Sequence, residues 1–161
     1  MKRILSLLGL ALLLSGCGLG MIYDITPVVV YMEVVDAEGN NRFEEQTVGS
    51  WLTSPVTATF EGETYTFPKV ETRAYLAIMG GLNVQSYNYG GGRRVTCLSF
   101  GELSGETDRR SDLVVTWPDG TTDTITIDNS FRWGVTGKPH KKTVLSLNGT
   151  PVPSGPIHIV K

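Results

Sequence analysis

Apolar and polar residues alternate with a period of two along most of this chain, and short clusters of Gly, Pro, Asn and Asp interrupt the alternation. The run PVVVYMEVVDAEGN predicts an apolar strand from Val28 to Val35, closed by a turn over Asp36 to Asn41 in which Gly39 and Asn40 tolerate positive φ. VTATFEGETYTF predicts a tight hairpin about Glu61 and Gly62. TRAYLAIMG, ended by Gly80 and Gly81, and RRVTCLSFG predict two more strands; LNVQSYNYGGG between them has no hydrophobic period and reads as a loop over residues 82–92. In DLVVTWPDGTTDTITID, Leu113, Val115 and Trp117 share one face, Pro118, Asp119 and Gly120 turn the chain, and Ile125 and Ile127 return on one face. KKTVLSLNGTPVPSGPIHIVK predicts a strand from Thr143 to Leu147, turns at Asn148 and Gly149 and near Ser154 and Gly155, and a last strand from Ile157 to Val160. Sustained helical periodicity is missing, so the expected fold is all-β, an antiparallel β-sandwich of about eight or nine strands over residues 26–161.

The amino terminus follows a different pattern. Lys2 and Arg3 precede an apolar stretch from Ile4 to Leu14, and Ser15 and Gly16 lead into Cys17. A bilayer span needs roughly twenty apolar residues, so the stretch is too short to be one and reads as a signal peptide. Leu14, Ser15, Gly16 and Cys17 resemble the bacterial lipobox, in which the cysteine thiol is thioether-linked to diacylglycerol, the signal is cut before it and the new amino terminus is acylated. That resemblance makes residues 1–16 a lipoprotein signal, Cys17 the lipidated first residue, residues 17–25 a short tether, and the lipid bilayer the partner of acylated Cys17.

Loss of residues 1–16 removes two of the fourteen basic residues and leaves twelve against sixteen acidic ones, a net charge of −4. Arg93/Arg94, Arg109/Arg110 and Lys141/Lys142 are isolated pairs, which argues against nucleic acid as a partner. With Cys17 lipidated, Cys97 has no disulfide partner within the chain and reads as a small buried hydrophobe in a β-rich run.

Taken in order, YDITPVVVYMEVVDAEGN, YLAIMGGL, LSFGEL, VVTWPDGTTDTITIDNSFRW and LSLNGTPVPSGPIHIVK resemble a group of small lipoproteins of Bacteroidetes. The resemblance implies an immunoglobulin-like or transthyretin-like sandwich on a lipid anchor, with a Gram-negative outer membrane as its address. Its motifs are turns and strands, so it carries over no catalytic residue. Surface-directed lipoproteins of that group resemble one another in an acidic stretch soon after the cysteine, whereas here GLGMIYD follows and the first acid is Asp24. This implies the periplasmic face. Gly18 also replaces the aspartate that retains enterobacterial lipoproteins in the inner membrane.

Candidate chemistry is sparse, and no cofactor is expected. A hydrolase would need His140, in the polar loop GKPHKK, or His158 as its base, and no serine lies in a GxSxG elbow. Zinc lacks paired ligands, and Asp108, Asp112, Asp119, Asp123 and Asp128 do not form an EF-hand pattern, so no metal site is assigned.

Binding is the better-supported expectation. Tyr87 and Tyr89 offer rigid amphipathic surface and Asn83, Gln85, Ser86 and Asn88 offer hydrogen bonds, a composition suited to a carbohydrate or a peptide. Trp51 and Trp133 are candidate aromatic platforms, while Trp117 reads as core. Asp123, Thr124 and Ile125 resemble the O-glycosylation acceptor motif of exported Bacteroidetes proteins, with Thr124 as acceptor. Together these features lead to the expectation of a membrane-anchored, non-enzymatic accessory or interaction protein whose partner is an envelope protein or a glycan.

Overall fold

The computed structural model describes residues 23–68, 81–135 and 137–161, apart from the side chain of Glu102. The expected strand around TRAYLAIMG falls largely on residues 69–80 and, like Cys17, lies outside the described residues. Ten strands are present among the described residues: β1 (Val28–Val35), β2 (Val56–Phe60), β3 (Glu63–Phe67), β4 (Leu82–Asn88), β5 (Arg94–Leu103), β6 (Arg109–Thr116), β7 (Thr122–Trp133), β8 (Pro139–Leu147), β9 (Thr150–Pro151) and β10 (Ile157–Val160). They form two sheets, ordered β10-β1-β5-β4 and β3-β2-β6-β7-β8-β9. All pairings are antiparallel except that of β1 with β10. The fold is an all-β sandwich.

Its core follows the alternation. Val30, Met32 and Val34 from β1, Leu98 and Phe100 from β5, and Ile157 and Ile159 from β10 face Ala58, Leu113, Val115, Ile125 and Ile127 of the other sheet, and all are buried. The two-residue turns fall where the sequence places them. Glu61 and Gly62 take φ of 53° and 86° between β2 and β3, and Asn148 and Gly149 take 49° and 82° after β8. Positive φ at both central positions suits the right-handed twist of the flanking strands.

One end of the sandwich is closed by the long β1–β2 connection, residues 36–55, which tucks Phe43 and Trp51 inward. The Trp51 ring stacks on Trp117 at 6.0 Å and 27°. At the other end, where β1 begins, β7 and β8 pair as far as Trp133 and Pro139.

Two stretches expected as loops are strands. Residues 82–88 form β4, paired with β5 from Leu82↔Phe100 to Asn88↔Arg94. Only Leu82 and Val84 point toward the core, while Asn83, Gln85 and Tyr87 face outward, so ladder hydrogen bonds rather than apolar periodicity define this strand. Only residues 89–93 turn: Tyr89 N–H donates to Arg93 O at 3.0 Å, and Gly90, Gly91 and Gly92 all adopt positive φ that side chains disfavour. His140 likewise lies in β8, opposite Arg132, because Pro139 is tolerated as a first strand residue and this end of the hairpin is exposed.

Candidate functional site

The expected ligand residues do not converge on one site. Asn83, Tyr87 and Tyr89 belong to the outer face of the four-stranded sheet or its rim. Asn88 points the other way, its Oδ1 accepting Gly90 N–H at 2.9 Å. Trp51 is core, since its Gly- and Ser-flanked loop folds inward. Trp133 lies at the opposite end of the domain.

The outer face gains residues that the sequence reading did not single out. Tyr31 projects there from β1, and its ring meets Tyr87 edge to face at 4.9 Å; Tyr87 meets Tyr89 in the same manner at 5.2 Å. The Arg93 guanidinium lies 4.9 Å from the Tyr89 ring centroid. Glu33, one row along β1, accepts from Tyr89 O–H at 3.4 Å, and its carboxylate lies 3.5 Å from His158 Nδ1. Gln85 donates to Ser99 Oγ, whose hydroxyl donates to the Asn83 carbonyl at 3.1 Å. Burial, then the Glu33 charge, pushes the Tyr89 phenol above its ordinary value, which keeps it a neutral donor. The available signal for Tyr31 and Glu33 was their placement two apart within an apolar strand, on the face opposite Val30, Met32 and Val34.

Beside the tyrosines runs an open groove of about 650 Å³, bounded by Val29, Tyr31 and Tyr87 on one side and by Val144, Pro153 and Gly155 on the other. β10 pairs with β1 only from Met32 to Val35, so the β1 edge from Val28 to Tyr31 faces this groove without a strand partner among the described residues. The arrangement supplies ring surface, a carboxylate, amides and a free strand edge. Among the described residues, neither histidine shares a hydrogen bond with a serine or threonine hydroxyl, and no three His, Cys, Asp or Glu side chains converge as metal ligands.

Cys97 lies beneath the same face and is fully buried. Desolvation, then the nearby Glu33 charge, pushes its thiol up to about 12, so the nucleophilic thiolate is scarce at neutral pH. In the folded protein a thiol-reactive chromophore is therefore expected to leave Cys97 unmodified, with stoichiometric reaction only in denaturant. Rapid labelling of the native chain would contradict this burial.

Thr124 sits half-buried on the face of β7 opposite Ile125. Asp123 before it alternates with Ile125 and Ile127 and is therefore core-facing. Its carboxylate accepts from Trp117 Nε1 at 2.7 Å, Asn148 Nδ2 at 2.8 Å and Lys161 Nζ at 2.8 Å. In the folded domain, the acid of the glycosylation-like motif is thus engaged internally.

Compared with known protein families, residues 1–17 match the prokaryotic membrane lipoprotein lipid attachment site, a match that ends on Cys17 and supports a membrane-anchored lipoprotein. No curated protein and no solved structure matches the chain.

Proposed function

We propose that this is a lipid-anchored, non-enzymatic interaction protein of a Gram-negative outer membrane, held on the periplasmic face. Its ligand surface is the outer face of β10-β1-β5-β4 together with the adjoining groove. The observation that carries this reading is the edge-to-face series Tyr31–Tyr87–Tyr89, capped by Arg93 and backed by Glu33, on an open sheet face. Aromatic side chains contribute large contact area with little conformational entropy to lose, and the flanking Asn83, Gln85 and Glu33 offer hydrogen bonds to sugar hydroxyls. The address rests on the sequence after Cys17, where Gly18 stands in place of a retention aspartate and no early acidic stretch occurs.

A peptide ligand is the second reading, favoured by the unpartnered Val28 to Tyr31 edge, along which an extended segment could add as a strand. Glycan arrays and peptide libraries, each probed with the purified protein, separate the two. Replacing Tyr87 and Tyr89 together with alanine is expected to weaken the selected ligand about thirtyfold or more, since truncation of central aromatic anchors commonly costs about 2 kcal/mol or more. Full retention of binding by a folded double variant would remove this face as the site.

A further inference from the structure

The end of the sandwich nearest the tether has a character of its own. From Ser130 to Leu145 the sequence contains Arg132, Lys138, Lys141 and Lys142 and no acid, in a chain that is net negative. These residues form the β7–β8 hairpin, whose turn is closed by Gly134 N–H donating to Lys138 O at 2.8 Å. Trp133 is 57% exposed and Val135 fully so. Tyr23 packs edge-on against Trp133 at 5.9 Å, Phe131 does so at 5.5 Å, and Lys141 Nζ donates to the Thr26 carbonyl at 2.5 Å. Register places Phe131, Trp133 and Lys141 on one face of the hairpin and Arg132, His140 and Lys142 on the other. The second face lines an open hollow of about 580 Å³ whose one acid is Asp108.

The tether fixes where this hairpin sits. Cys17 lies six positions before Tyr23 in the chain, a reach of at most about 20 Å when fully extended. Tyr23 touches Trp133, so an anchor at Cys17 keeps the aromatic tip and its cations close to the bilayer that holds the acyl chains. Exposed Trp at a membrane interface and clustered Lys and Arg beside an anionic surface are both favourable placements. Among the described residues, no ion pair within the protein occupies Arg132, Lys138 or Lys142.

We infer that the β7–β8 hairpin is a second membrane contact. Trp133 enters the interface, and Arg132, Lys138 and Lys142 engage the headgroups of anionic phospholipids in the leaflet that carries Cys17. The lipid and the hairpin together orient the sandwich, with the Lys141 and Lys142 end of the groove turned toward the bilayer.

This inference rests on lipidation of Cys17, and its test separates the two. The full lipidated protein is reconstituted into vesicles of phosphatidylcholine alone or mixed with phosphatidylglycerol, each containing brominated lipid, and tryptophan emission is measured. Trp51 and Trp117 are buried in the core, so quenching by bromine reports on Trp133. Quenching is expected to be about twofold or more stronger in the anionic vesicles and to weaken in high salt. It should disappear in Trp133→Phe and fall in Lys138→Glu/Lys142→Glu, both exposed changes. Protein that floats with the vesicles yet shows no quenching, or equal quenching in neutral vesicles, overturns the anionic contact while leaving the anchor intact. Protein that fails to float overturns the anchor, and the hairpin contact with it.

Discussion

Replacing Asp123 with alanine is expected to lower the unfolding free energy by about 3–5 kcal/mol, because it removes one partner of a buried ion pair. The variant leaves the Trp117 indole N–H, the Asn148 amide and the Lys161 ammonium without their shared acceptor. Lys161 is itself nearly enclosed, with its Nζ 6.0 Å from the Trp117 ring, so water cannot readily replace the carboxylate. Denaturant titration would show the loss as a lower midpoint, and heating as a fall on the order of 10 °C.

The pH dependence supplies a second reading of the same network. Burial alone would raise the Asp123 pKa, but hydrogen bonds from Lys161, Asn148 and Trp117 and the Lys161 charge outweigh it and hold the carboxyl below 3.8. A depressed folded pKa means that the contribution is complete above the unfolded value and is lost as pH falls through the folded one. The gap between the original protein and Asp123→Ala should therefore be flat through the neutral range and narrow in acid, below about pH 4. Asp119, whose carboxyl is held low against burial by hydrogen bonds from Thr121 and by the Lys161 charge, is present in both proteins, so only its share through Lys161 enters the difference. A loss under about 1 kcal/mol, typical of an exposed pair, would show that the network does not stabilise the fold as its geometry indicates.

Asp123 also marks where sequence reading reaches its limit. Its position on the core face was legible, because it alternates with Ile125 and Ile127. Its partners were not, since Asn148 reaches it from the turn after the neighbouring strand β8 and Lys161 from beyond the end of β10 in the other sheet. The hairpins at Glu61–Gly62 and around Asp119 were legible for a related reason: their turn residues and flanking alternation are local. β4 escaped notice because an edge strand with polar outward positions and only Leu82 and Val84 directed inward carries little periodic signal. The tyrosine cluster was half legible. Tyr87 and Tyr89 stood out by composition, whereas Tyr31 joins them only through the strand order β1-β5-β4, which no local pattern encodes.

Substituting Cys17 with alanine is expected to abolish incorporation of labelled palmitate into the expressed protein. The lipid attachment match ends on this residue, and its thiol is the atom to which diacylglycerol would be joined. Each buried acyl methylene contributes about 0.8 kcal/mol, so one chain binds a membrane reversibly and two or more hold it stably. Among the described residues, no helix is long and apolar enough to cross a membrane. The chain contains one other thiol, Cys97, and it is fully buried beneath the tyrosine face. Cys97→Ala should accordingly retain the label in full. Persistence of label in Cys17→Ala would place the acyl group elsewhere and remove the geometric reason for bringing the β7–β8 hairpin to the bilayer.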